Sequence, residues 1–282
     1  MRVAVFGNKT STEELLVFLA EKKMPLKALI TFNAGKSEEK TISGYSVSLR
    51  NIAKEKGLEL IEVDDYSLKS EELQKIIIDQ KFDLGIVTGW QRLIPLNVLK
   101  SFSIGVFGWH GSFLKFPNGR GRSPLNWSVR LGAKVIYHNF FQYDEGADTG
   151  GLYETYKFAI EPSDYISDVQ SKALSHMKIS ALKLIQHCLC EKPIELLQQP
   201  KGVAIEFPKI TPNDGLLQPN YHTVDQALNV IRSSSRPFPG AFLDLKGCKK
   251  VIVWRASKET ESHLKTKRID FIDGPLFLTD YE

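Results

Sequence analysis

The sequence predicts an α/β fold: a mostly parallel sheet with helices on both faces, followed by a small α+β module. Three observations lead there. Short β-rich runs alternate with amphipathic helical runs over residues 2–88, the pattern of βαβ units whose helices cover both faces of a parallel sheet. The stretch 104–151 adds two further strand runs, each ending in a polar, glycine-containing loop. After Pro193 the character changes to Gln198, Gln199, Pro200, Lys201, Gly202 and Pro208, which reads as a linker. The chain of 282 residues is long enough for a large domain, 1–193, and a linker with a small accessory module, 194–282.

The elements follow in order. Residues 2–7 form a strand with Val3, Val5 and Phe6 as candidates for burial. Thr10 or Ser11 is the expected N-cap of the first helix, with Glu14 three residues after Ser11 as in a capping box. Leu15, Leu16, Phe18 and Leu19 mark its apolar face. Strands at 26–32, 58–63 and 82–88 alternate with helices at 45–56 and 70–79, the latter opened by Ser70-Glu71-Glu72. The strand at 104–109 leads through a Gly-, Pro- and Arg-rich loop to a short amphipathic segment, 124–131, and to strands at 134–143 and 152–160. A long helix covers 167–190 and ends before Lys192-Pro193. The tail holds a helix, 224–233, and strands at 242–245, 250–254 and 269–278.

Composition narrows the function. A formal net charge of +4 permits an anionic substrate but lacks the basic stripe of a nucleic-acid scaffold, so no nucleic-acid partner is expected. Cys188, Cys190 and Cys248 are too few for a disulfide framework and are read as free thiols of a reducing compartment. Met1 leads straight into a strand and no apolar run reaches the length of a membrane span, so a cytoplasmic chain with no membrane partner is expected.

The first turn, Gly7-Asn-Lys-Thr-Ser-Thr, has neither the G-x-G-x-x-G of a dinucleotide fold nor the G-K-[ST] of a P-loop. A nicotinamide enzyme and a P-loop phosphotransferase are thereby disfavoured. Asn8, Lys9 and Thr10 remain candidates for substrate binding through backbone amides and the Lys9 ammonium, against the plainer reading of a capped strand-to-helix turn. His110 and Asp148 lie at the ends of two strand runs, where open α/β sheets place their chemistry. An imidazole titrates near physiological pH, so His110 can move a proton or donate to a developing oxyanion, and Asp148 can orient it and stabilise its charged form. Asp144, Glu145 and Asp148 are of the residue types that ligate a metal, but the glycine spacing suits a tight loop holding one carboxylate, and no metal is expected. Arg120 and Arg122 suit a diphosphate, which a guanidinium pairs through two bonds.

The motifs His110-Gly111-Ser112-Phe-Leu, Arg120-Gly121-Arg122-Ser-Pro-Leu-Asn-Trp127 and Asp144-Glu-Gly146-Ala-Asp148-Thr-Gly150 occur here in that order. They resemble the 10-formyltetrahydrofolate-dependent formyltransferases, which include methionyl-tRNA, glycinamide ribonucleotide and sugar N-formyltransferases. Thr211-Pro-Asn-Asp-Gly215 and Ile231-Arg-Ser-Ser-Ser-Arg-Pro-Phe-Pro-Gly-Ala-Phe242 resemble that family's C-terminal module. The resemblance implies a Rossmann-like formyltransferase domain, 10-formyltetrahydrofolate as co-substrate, and His110 and Asp148 as catalytic residues. It places Trp90, Leu93, Ile94, Asp144 and Gly146 at the folate, and Asn8, Lys9, Thr10, Ser112 and Arg120 at the acceptor. The family's asparagine two residues before the histidine, which helps bind the oxyanion, is Gly108 here. Asn118, Asn126 and Asn139 are the nearby amides in sequence that could replace it.

The Gly-Arg-Ser-Pro-Leu-Asn-Trp segment and the short tail are most similar to the amino-sugar branch. The expected reaction is formyl transfer to the amine of a nucleotide-linked amino sugar, with a 4-amino-4,6-dideoxyhexose favoured, for glycan synthesis. A homodimer is an open expectation. The alternatives are formylation of methionyl-tRNA or of a carrier-bound aminoacyl group, and a non-catalytic folate- or nucleotide-binding module.

Overall fold

The computed structural model describes residues 1–33, 45–245, 249–260 and 266–282. Cys248 lies outside them. In chain order the first half contains β1 (Val3–Phe6), α1 (Thr10–Glu21), β2 (Leu26–Phe32), α2 (Leu49–Glu55), β3 (Glu59–Val63), α3 (Glu71–Asp79), β4 (Leu84–Val87), α4 (Leu96–Lys100) and β5 (Gly105–Ser112). There follow β6 (Arg120–Gly121), α5 (Pro124–Arg130), β7 (Val135–Gln142), β8 (Leu152–Ala159) and α6 (Ile166–Leu189). The remainder is β9 (Glu206–Phe207), α7 (Val224–Ser234), β10 (Ala241–Leu245), β11 (Lys249–Ser257), β12 (Lys267–Phe271) and β13 (Gly274–Tyr281).

The central sheet has seven strands in the order β3-β2-β1-β4-β5-β7-β8. β3, β2, β1, β4 and β5 pair in parallel. β7 and β8 are bonded at both ends, Gln142 N to Gly151 O at 2.9 Å and Ile160 N to Lys134 O at 3.0 Å, which makes them antiparallel. Order reverses at β1, so the carboxyl ends of β1 and β4 flank the crevice where ligands bind in open sheets.

Every residue of β1 and β4 is buried, as expected for strands covered on both faces. The period-two alternation then sorts side chains between two cores. Ala4 and Phe6 join Ile77 of α3 and Val98 and Leu99 of α4 on one face. Val3 and Val5 join Leu15, Leu16 and Leu19 of α1, Ile52 of α2 and Ala181, Leu184 and Ile185 of α6 on the other.

Helix starts follow local chemistry, with one correction. Ser70 caps α3 by accepting from Leu73 N at 3.5 Å. Thr223 and Gln226 form a reciprocal capping box on α7, at 3.1 and 2.9 Å. The first helix begins earlier than expected and is not capped by Ser11 with Glu14. Lys9 is its N-cap; the buried Thr12 hydroxyl accepts from Lys9 N at 3.3 Å and donates to Thr88 O at 2.8 Å. Glu14 instead pairs with Lys178 at 2.9 Å.

The described residues form two compact units. The first comprises Met1–His110, His138–Tyr156 and Ala173–Gly202; the second comprises Gly111–Tyr137, Lys157–Lys172 and Val203–Glu282. These units interleave along the chain, whereas the sequence suggested one cut near residue 193. Within the second unit a four-stranded antiparallel sheet, β10-β11-β13-β12, carries α7 on its apolar side. Its last two strands correct the single strand expected at 269–278: Phe271 pairs with Gly274, and Ile272-Asp273 form a tight turn between them. Segments from the middle of the chain are tied to the tail. Buried Arg232 donates to Asp164 O at 2.6 Å and to Glu161 O at 2.8 Å. Tyr165 donates to Ala256 O at 3.2 Å, Asn126 to Ser233 O at 2.9 Å, and Trp127 Nε1 to Pro208 O at 2.7 Å.

No described helix is long and apolar enough to cross a membrane. Among the described residues, no three His, Cys, Asp or Glu side chains gather as a metal site would require.

Candidate active site

β5 carries His110 to the end of the parallel sheet with only 6% of its side chain exposed, and its Nδ1 lies 3.2 Å from Asp148 Oδ2. A neutral imidazole that donates from Nδ1 keeps its lone pair on Nε2, the arrangement a proton acceptor needs. Asp148 sits in the loop between β7 and β8, in the left-handed region at φ 57°. Aspartate is among the few non-glycine residues that enter this region readily.

That loop is built by its other motif residues. Asp144 Oδ1 accepts from Gly146 N at 3.0 Å and from the Thr149 hydroxyl. A Cβ at residue 150 would lie 1.7 Å from Gln142 O, so only glycine allows the loop to close against the strand. Gln199 Nε2 donates to both Asp148 O, at 3.0 Å, and Gly150 O, at 2.7 Å. The sequence had assigned Gln199 to a linker, and nothing local marks its role. Asn139 is also structural: it donates to His110 O at 3.4 Å and accepts from Thr155 at 2.7 Å. The other two nearby amides are tied as well, Asn118 by accepting from Ile205 N at 3.0 Å and Asn126 by its bond to Ser233 O.

Gly108 is not an empty position. A Cβ there would lie 2.5 Å from the Tyr143 hydroxyl oxygen and 2.6 Å from Cε1 of the same ring. Tyr143 occupies the space that a side chain at 108 would take, and an asparagine has no room beside it. Burial, then the charge of Asp148 and the neighbouring Tyr66, push the Tyr143 phenol above its ordinary range.

At the ends of β1 and β4 two buried polar groups lack protein partners. Asn8 is fully buried, yet neither atom of its side-chain amide has a hydrogen-bond partner. The Trp90 indole N–H is likewise without one. The Trp90 ring packs edge-on to Tyr66 at 4.7 Å and Phe6 at 5.9 Å. Ile94 is buried in the same core, whereas Leu93 is 62% exposed. Lys9 and Thr10 stand at the N-terminus of α1. Ser112 and Arg120 belong to the second unit. Ser112 is fully buried and accepts from Leu114 N at 3.2 Å. Arg120 is half-buried, its guanidinium 5.8 Å from the Phe116 ring.

A second histidine pair, not anticipated from sequence, lies in the first unit. His138 and His176 share a hydrogen between their Nδ1 atoms at 2.8 Å, and Glu154 meets His176 Nε2 at 3.1 Å. Burial, with His176 and His110 as like charges, holds the His138 imidazole well below its usual range. Burial also lowers His176, although Glu154 opposes it. Both imidazoles therefore fold neutral. Below about pH 6.5 the unfolded chain binds protons that the folded chain refuses, so stability falls as pH drops through that value. Urea unfolding at pH 7.5, 6.5 and 5.5 should show stability falling step by step with pH. His176→Gln should flatten it; equal slopes in both proteins would remove the pair as the cause.

The chain resembles known proteins over most of its length. A family model described as formyl transferase matches residues 1–183. The methionyl-tRNA formyltransferase of Desulfotalea psychrophila is 29% identical over 202 residues, 72% of this chain and 60% of that protein. The chain therefore spans less than two thirds of that relative. An N-formyltransferase from Helicobacter canadensis, solved with folinic acid and dTDP-3-aminofucose, aligns with a TM-score of 0.67 at 15% identity over 99% of each chain. HypX from Aquifex aeolicus, solved with tetrahydrofolic acid, aligns at 0.67 and 17% identity, covering 100% of this chain and 44% of that one. At these identities the solved structures establish a shared fold.

Proposed function

We propose that this chain, which belongs to the formyl transferase family, moves the formyl group of 10-formyltetrahydrofolate to the amine of a nucleotide-linked amino sugar. The observation that carries the chemistry is the buried His110–Asp148 pair at the sheet's carboxyl edge. In the reaction the acceptor nitrogen adds to the formyl carbon, the bond from that carbon to the folate nitrogen breaks, and a proton passes from the amine to the folate nitrogen. His110, oriented by Asp148, donates to the oxyanion or carries that proton. Asp148 stabilises the imidazolium while it exists.

The folate assignment has support in the unpartnered Trp90 N–H. Buried polar groups are rarely left unbonded, and a pterin offers an acceptor to the Trp90 N–H. Exposed Leu93 supplies apolar wall beside it. Ile94 supports from the core, and Asp144 with Gly146 holds the loop that carries Asp148. Asn8, Lys9, Thr10, Ser112 and Arg120 are each assigned to the acceptor by the family resemblance, and a guanidinium such as that of Arg120 pairs with phosphate through two bonds.

The acceptor class rests on the Arg120–Trp127 segment and on the end-to-end alignment with the Helicobacter enzyme. A 4-amino-4,6-dideoxyhexose is the favoured sugar, and the likeness to the Desulfotalea protein keeps methionyl-tRNA as the second reading. Incubation with 10-formyltetrahydrofolate and a panel of nucleotide-linked 3-amino and 4-amino sugars, or with charged initiator tRNA, separates them by product mass. A gain of one formyl group on a sugar is expected; formylation of the tRNA alone would reverse the acceptor assignment.

A further inference from the structure

Addition of an amine to a formyl carbon puts negative charge on the formyl oxygen, and donors fixed where that charge develops contribute heavily to such reactions. His110 offers one donor when protonated, the Nε2–H of its imidazolium, since its Nδ1 faces Asp148. The structure holds a second candidate on the same face of β5. Residues two apart on a strand share a face, so Gly108 lies on the His110 side with Val106. Val106 packs in the cluster that includes Tyr143, while Phe107 and Trp109 pack in the cluster on the other face. The backbone of Tyr143 is fixed to β5 by its N–H, which donates to Val106 O at 2.7 Å. Its ring stacks on Phe141, with centroids 5.2 Å apart. The hydroxyl end fills the missing side chain of Gly108, two residues from His110.

We propose that the Tyr143 hydroxyl is a second hydrogen-bond donor to the formyl oxygen, acting beside His110; the inference rests on the formyl-transfer reading above. Three features converge on it. Glycine at 108 is what admits the ring. Asn118, Asn126 and Asn139, the amides that might have served instead, are each held in bonds that build the scaffold. Asp148 lies close enough for its charge to help keep the phenol protonated, and a protonated phenol is the form that donates.

Tyr143→Phe keeps the ring that fills the Gly108 space and removes only the hydroxyl. Turnover is measured with the nucleotide amino sugar and, separately, with hydroxylamine, a small amine that accepts the formyl group to give formohydroxamate and tetrahydrofolate. With either acceptor kcat should fall roughly 10- to 100-fold. KM and the Kd for tetrahydrofolate should stay within about twofold, because the bond forms only as charge develops. A kcat within twofold of wild type, or a raised KM at unchanged kcat, overturns the assignment. Wild-type transfer to hydroxylamine but to no sugar corrects the acceptor class alone and leaves Tyr143 decided by the hydroxylamine rates. Wild-type protein that binds tetrahydrofolate and transfers to neither acceptor overturns both readings.

Discussion

Replacing His110 with alanine is expected to lower kcat by about a hundredfold or more, the range seen when a general acid–base group or an oxyanion donor is lost. Asp148→Asn should do comparable damage by a different route. Asparagine tolerates the left-handed backbone at 148 as well as aspartate does, and it can still meet the imidazole. What disappears is the negative charge that favours an imidazolium and the Nδ1–H tautomer. The two variants together should fall little below the worse single one, because residues acting as a unit are not additive. Steady-state rates with either acceptor, alongside tetrahydrofolate binding to show that the fold survives, provide the check. Near-normal turnover in both variants would falsify the catalytic pair.

The second large effect concerns removal of residues 203–282. A reading of the chain as two successive domains leads one to expect a folded remainder. The interleaved units lead to the opposite expectation. Segments 111–137 and 157–172 have their packing partners in the tail. Truncation strips Asp164 O and Glu161 O of the Arg232 guanidinium, Asn126 of Ser233 O, Trp127 of Pro208 O, and β6 of its parallel partner β9. Hydrogen bonds to a charged group are worth about 1.5–3 kcal/mol each, and a domain's net stability is only about 5–15 kcal/mol. The truncated chain should be insoluble or unfold without a cooperative transition. A soluble fragment with one sharp calorimetric transition would restore the division at residue 193.

Much of the first half was legible because its signals are local. The continuous apolar runs of β1 and β4, the Ser70 cap and the apolar face of α1 are each set by neighbours within a few positions. The His110 and Asp148 motifs were readable for a related reason: a tight glycine-bearing loop that presents one carboxylate has few sequences. What escaped was set by distant contacts or by very short elements. α4 has five residues, too few for a helical period to show. The turn at Ile272-Asp273 lies inside an otherwise strand-like run, with Asp273-Gly274 as its one local mark. Glycine at 108 reads as a lost donor until the Tyr143 ring is seen against it. Burial of Asn8 with both amide atoms unpartnered depends on what packs around the end of β1, and no window of sequence reports that.

Gln199 ties the loop that carries Asp148 from 51 residues downstream. A chain made from its N-terminus therefore releases Asp148 well before the side chain that fixes its loop. Until residue 199 leaves the ribosome the loop lacks its clamp, although the strands around it are already complete. Domains emerge and fold in the direction of synthesis, so the loop that carries Asp148 is fixed late, by a residue outside every strand and helix of the sheet.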